Sequence, residues 1–163
     1  LEGVNRTGKT TICDLLCSVH GFVVVKPFSI RELNVLARFG YSSEEVRAFV
    51  YGSLYTSVKT FGKLSDVNAV FDRFHISEAV HGALDRGCKR DRDMIQIDQM
   101  LSAIGAKLVL MDDCIGDLND RNGRDVSELS FFFDQFFINS AMDKMRYNLS
   151  DPVGQLVRWL RNK

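Results

Sequence analysis

The eight residues Gly3-Val4-Asn5-Arg6-Thr7-Gly8-Lys9-Thr10 constrain this chain more than anything else in it. They match G-x-x-x-x-G-K-[ST] without a mismatch, which average residue frequencies would produce by chance in a chain this long with a probability of roughly half a percent. Such a loop wraps backbone N–H groups round the β-phosphate of a nucleotide, and its glycines permit the backbone angles required. The lysine reaches the β- and γ-phosphates, and the last hydroxyl ligates Mg²⁺. The loop leads into a helical pattern from Lys9 to His20, with Ile12, Leu15, Leu16 and Val19 at helical spacing, and a helix N-terminus favours anions. A nucleoside triphosphate is the expected ligand.

Beyond the loop, segments alternate in type. Phe22 to Val25, Val67 to Phe71, Lys107 to Met111 and Met145 to Leu149 read as short strands, and Leu1 can end another ahead of the loop. Ser42 with Glu45 three residues on is a capping box that opens a helix to about Thr60. Ile76 to Asp85 and Arg92 to Ile104 read as helices, the second closed by Gly105. A long helix from Val126 to about Asp143 and an amphipathic one from Val153 to Arg161 complete the pattern. Strands alternating with helices predict an α/β fold, a five-stranded parallel sheet covered by helices on both faces. Right-handed crossovers then put the functional loops at the carboxyl ends of the strands. With 45% apolar residues, residues 1–163 are expected to form a single domain with a sizeable core.

Charge narrows the partners. Lys and Arg number 21 against 21 Asp and Glu, so no net basic field is available for nucleic acid or a membrane surface. The longest stretches free of charge, Leu15 to Val25 and Ala48 to Val58, have eleven residues each, against about twenty for a membrane-spanning helix. A soluble, cytoplasmic protein is expected. Cys13, Cys17, Cys88 and Cys114 form no C-x-x-C pair, which fits reduced thiols. Cys13, Cys17 and His20 could share a helical face, but they lack a fourth metal ligand, and packing explains them better. With Leu1 rather than Met at its head, the sequence is expected to continue upstream.

A second constellation, Val70-Phe71-Asp72-Arg73-Phe74-His75, closes a strand. A carboxylate there can hold the Mg²⁺ shell or orient an attacking oxygen, and the arginine can clamp an acceptor phosphate bidentately. Arg6, inside the phosphate loop, lies near the β–γ bridge, where a transferring phosphoryl group builds charge.

Glu2-Gly3-Val4-Asn5-Arg6-Thr7-Gly8-Lys9-Thr10-Thr11 followed by Phe71-Asp72-Arg73-Phe74-His75 resembles thymidylate kinase and its nucleoside-monophosphate kinase relatives, with their E-G-x-D-R-x-G-K-[ST]-T loop and D-R-[YHF] motif. After the Lys107–Met111 strand come Asp112, Arg121 and Arg124, placed like that family's mobile lid, here about 114–125. The resemblance runs from the first loop to the final helix. It implies the phosphate-loop kinase fold and ATP-dependent phosphorylation of a deoxynucleoside monophosphate, dTMP or a close analogue, to the diphosphate. It implies that Asn5, Arg6, Thr7, Gly8, Lys9, Thr10 and Thr11 bind ATP, with Thr10 and Asp72 serving Mg²⁺. Arg6, Lys9, Asp72, Arg73, Arg121 and Arg124 would be catalytic, the last two closing over ATP. Asn5, Asp72, Arg73 and Phe74 would meet the acceptor. A homodimer is also implied. Two departures stand out. Asn5 replaces the aspartate that usually contacts the acceptor sugar, and the stretch from Lys26-Pro27-Phe28 to Ser42 is short for an acceptor pocket.

Other residues read as structural. Phe131, Phe132, Phe133, Phe136 and Phe137 fit core packing better than a stacking platform. The mixed run Asp85 to Asp93 fits a solvated connection. His75 could contact substrate, Glu78 could face the acceptor pocket, and His81 has no role. The alternatives are a deoxynucleoside kinase, which tends to carry Glu-Arg where this chain has Asp72-Arg73, and a kinase acting on a nucleic-acid hydroxyl, which the zero net charge disfavours. A switch GTPase lacks support, since there is no N-K-x-D guanine motif. Intact Arg6, Lys9, Thr10 and Asp72 argue against an inactive relative.

Overall fold

The strand β3 (Lys107–Asp112) divides the hydrophobic interior in two. Leu108 and Leu110 point into one cluster of buried residues, while Val109 and Met111 point into another. Successive strand residues face opposite sides, so a strand with four apolar residues in a row, Leu108 to Met111, must be covered on both faces. The computed structural model describes residues 1–3, 7–26, 33, 35–36, 38–64, 66–86, 91–112 and 125–162. In chain order its elements are α1 (Lys9–His20), β1 (Val23–Val25), α2 (Ser43–Phe61), β2 (Ala69–Phe71), α3 (His75–Arg86), α4 (Asp91–Ala103), β3, α5 (Val126–Asn139), β4 (Asp143–Asn148) and α6 (Val153–Arg161). On one side of β3 lie the buried faces of α2 to α5, with Val46, Val50, Leu54, Ile76, Val80, Ile97 and Phe133. On the other lie α1 and α6, with Ile12, Leu16, Leu156 and Val157. No helix among the described residues is long and apolar enough to cross a membrane.

The described strands form two two-stranded parallel sheets, β1 with β2 and β3 with β4, in place of one five-stranded sheet. Val24 pairs with Val70 in the first, and Val109 with Met145 in the second. Leu1 to Gly3 lies between them. Glu2 makes a parallel bridge to Leu110, donating to the Val109 carbonyl and accepting from the Met111 N–H, each at 2.9 Å. Leu1 accepts from the Arg73 N–H at 3.0 Å and donates to the Phe71 carbonyl at 2.7 Å. Leu1 and Glu2 make these bonds, one on each side, but are too few for a ladder of their own.

Local signals explain where most helices begin and end. Gly21 closes α1 in the left-handed conformation, φ 71°, and the Phe22 N–H turns back to the Leu16 carbonyl. Ser42 and Glu45 complete the expected capping box. Asp125 opens α5 by accepting from the Ser127 N–H at 2.8 Å. The far end of α5 differs from expectation, stopping at Asn139 rather than near Asp143. The cause lies on α4: Asp98 accepts from the Ser140 hydroxyl and the Ala141 N–H, each at 2.7 Å, and turns the chain into β4. Lys144 then caps the helix by donating to the Ile138 and Ser140 carbonyls.

Asp98 also receives His75 Nε2 at 3.0 Å. His75 is therefore buried inside the helical layer, 3% exposed, and it serves packing there rather than the contact with substrate its sequence position suggested. Burial pushes the Asp98 carboxyl up, but hydrogen bonds from His75, Ser140 and Ala141 outweigh it and hold it below its ordinary value. Asp98→Ala is expected to cost about 2 kcal/mol in urea unfolding at neutral pH. Because the folded carboxyl titrates below the unfolded one, this stabilisation is complete above the ordinary carboxylate range. It is lost as pH falls through the folded value, so the difference between wild type and variant should close in acid. A difference that stays constant with pH would show that the charge is not what holds the turn.

Candidate functional site

Three chain segments meet at the carboxyl ends of the strands. The first surrounds the phosphate loop. Gly3 takes φ 131°, and a Cβ there would stand 2.8 Å from the Met111 carbonyl oxygen, so only glycine lets the loop leave so close to β3. Gly8 takes φ 76°, and a Cβ there would collide with Leu149, which packs on the loop from beyond β4. Gly8 is the N-cap of α1 and makes no side-chain cap hydrogen bond, and a helix N-terminus of this kind favours anions. Thr7 and Lys9 are both buried, and Lys9 Nζ donates to Thr7 Oγ1 at 2.9 Å. Thr10 and Thr11 are exposed. Asn5 and Arg6 lie outside the described residues.

The second segment leaves β2. Asp72 is anchored by its N–H to the Val25 carbonyl at 3.0 Å, and its side chain is only 8% exposed. Its Oδ2 accepts from Thr10 Oγ1 at 3.2 Å, across 62 residues of sequence. Arg73 follows at φ 68°, the one non-glycine residue with positive φ among those described. The Phe74 ring is buried in the core, its centroid 4.4 Å from that of Phe71, rather than open at the strand mouth. Glu78 lies one turn further on and is half-buried.

The third segment leaves β1. Lys26 Nζ stands 3.3 Å from the same Asp72 Oδ2, with its side chain 57% exposed. Two hard oxygen donors, Thr10 and Asp72, thus stand together beside the helix N-terminus, the donor type that Mg²⁺ takes. A cation reaches them from the opposite side.

Among the expected site residues, the structure brings together Thr7, Gly8, Lys9, Thr10, Asp72 and Arg73. Arg121 and Arg124 lie outside the described residues, as does most of the expected lid at about 114–125. Asp112, just before it, accepts from Arg146 at 2.9 Å, and Arg146 also donates to Asp134 of α5 at 2.8 Å. The aromatic run divides, with Phe133 and Phe137 in the core and Phe131 58% exposed. Cys13 is buried, its thiol pushed up to about 11 by burial, while Cys17 is exposed, so the two do not face a common ligand.

Sequence reasoning missed two residues. Lys26 ends its apolar strand as Asp72 ends the neighbouring one, and parallel pairing makes such ends converge. Glu2 is an acid placed directly before the loop in a segment expected to be buried. It is 2% exposed, and nothing nearby in sequence indicates its partner.

No protein-family model matches the chain, and no curated protein matches it. Among solved structures the chain is similar to the YorR protein from Bacillus subtilis, determined in complex with phosphorylated GDP. The TM-score is 0.66 at 17% sequence identity, over 98% of this chain and 92% of that one. At that identity the likeness shows a shared fold, extending over nearly the full length of both chains.

Proposed function

We propose that this protein transfers the γ-phosphoryl group of ATP to a deoxynucleoside monophosphate, dTMP or a close analogue, in the manner of thymidylate kinase. The observation that carries the reading is the 3.2 Å approach of Thr10 to Asp72, which joins a complete phosphate-loop signature to the Asp-Arg turn. The fold shared with a protein solved with a phosphorylated guanine nucleotide supports it. In this reading the bridge between the two sheets at Leu1 to Gly3 is the central strand of a five-stranded sheet.

The chain's own groups divide the work. The α1 N–H groups and Lys9 bind the triphosphate, and Gly3 and Gly8 let the backbone come close enough to do so. Thr10 and Asp72 would hold Mg²⁺, which when bound neutralises charge on the β- and γ-phosphate oxygens. Arg6 stabilises charge on the moving phosphoryl group, and Arg121 and Arg124 close over ATP, while Asn5 meets the acceptor sugar. Arg73 holds the acceptor phosphate bidentately.

Lys26 favours a monophosphate over a nucleoside as acceptor. A sugar hydroxyl must lose a proton to attack, which calls for a general base nearby. A phosphate oxygen is already ionised and needs a cation instead. The end of β1 supplies a lysine, and Asp72 beside it is engaged by Thr10 and Lys26. The reading carries with it a cytoplasmic setting, a homodimer and no nucleic-acid partner. The test is ATP consumption measured against each common deoxynucleoside and its monophosphate. Turnover with dTMP or a related monophosphate and not with the nucleoside is expected. Turnover with thymidine alone would replace the proposal by a deoxynucleoside kinase.

A further inference from the structure

The geometry points to Glu2 as the residue that positions Arg73 for the acceptor phosphate, an inference that rests on the function proposed above. The Glu2 carboxylate is buried, and both of its oxygens are used. Oε1 accepts from the Phe74 N–H at 2.9 Å and the Ile76 N–H at 3.2 Å. Oε2 accepts from the Ser77 N–H at 3.2 Å and from the Ser77 hydroxyl. These N–H groups open α3 and have no acceptor within their own helix, and the helix dipole favours a negative charge there. Caps are ordinarily supplied by the residue just before the helix. Here the cap comes from the root of the phosphate loop.

Arg73 sits between the residues so held. Its left-handed backbone is one that side-chain-bearing residues rarely adopt, and such a conformation persists only when its surroundings over-determine it. Two hydrogen bonds bracket it. The Arg73 N–H donates to the Leu1 carbonyl, and the next N–H, that of Phe74, donates to Glu2 Oε1. The peptide units on both sides of the Arg73 Cα are therefore fixed to residues 1 and 2, immediately ahead of Gly3. The guanidinium that would grip the acceptor takes its direction from the segment that launches the phosphate loop. Without the carboxylate, the first turn of α3 loses its cap and Arg73 can relax to an ordinary backbone conformation, which re-aims its side chain. Asp72 keeps its own anchor at Val25, so the side of the site that serves ATP should be spared.

Glu2→Gln tests this. The amide keeps one accepting oxygen but sets an NH₂ group against donors at the start of α3. The expected result is a KM for dTMP raised about tenfold, as a misplaced positioning group would give. The dissociation constant for ATP alone should stay within about twofold, and the amides of Arg73 to Ser77 should exchange hydrogen faster in the ligand-free protein. Ser77→Ala removes only the hydroxyl bond to Oε2, so it should fold and raise the same KM by a smaller factor. If Glu2→Gln does not fold, Ser77→Ala decides the matter. Unchanged dTMP KM in the folded variants, or loss of ATP affinity in parallel with it, would overturn the positioning role alone. A wild-type protein that turns over no monophosphate would overturn the proposed function and this role with it.

Discussion

Replacing Lys9 with alanine is expected to abolish phosphoryl transfer while leaving the protein folded. Lys9 is the first residue of α1, only 4% exposed, with its ammonium on Thr7 Oγ1. A cation in such a water-poor place acts on phosphate charge far more strongly than one in solution. The fall in kcat/KM should be about a thousandfold, the upper range for a single electrostatic group in a preorganised site. Alanine is the best helix former, so α1 itself should persist. Steady-state kinetics beside circular dichroism and a thermal melt checks both halves of the expectation. Near-normal turnover in a folded Lys9→Ala protein would refute the assignment of the loop.

Asp72→Asn should lower kcat by about a hundredfold through loss of the charge that the metal and Lys26 share. The amide is nearly isosteric, and the backbone bond to Val25 does not depend on the side chain, so the turn should survive. Lys26→Met should act on the metal in the opposite sense. Lys26 stands at the carboxylate oxygen that a divalent cation would take, so removing the lysine should reduce the Mg²⁺ concentration that gives half-maximal rate. It should also raise the acceptor KM, because an anionic acceptor loses a cation. A magnesium titration of the two variants beside wild type separates these effects. If Lys26→Met leaves the magnesium requirement unchanged, Asp72 is not the metal's carboxylate.

What the sequence alone determined is the set of features governed by interactions within one or two helical turns. The bounds of α1 follow from Gly8 and Gly21, the start of α2 from Ser42 and Glu45, and α6 from the apolar spacing after Pro152. The doubly covered strand β3 was legible because an unbroken apolar run can be buried only between two layers. The spacing of Gly3, Gly8, Lys9 and Thr10, which motivates the proposed phosphate site, was legible because backbone geometry and charge are specified together in eight residues. What only the tertiary structure decided are the pairings of groups far apart in the chain. Asp98 ends α5 from 42 residues away through Ser140 and buries His75, so neither the helix end nor the role of that histidine could be read locally. Lys26 meets Asp72 because β1 and β2 run parallel in register, and Glu2 caps α3 from 75 residues away through Ser77. A side chain's partner across such distances is set by how the strands pair and the layers pack. Residue type and spacing carry no record of that.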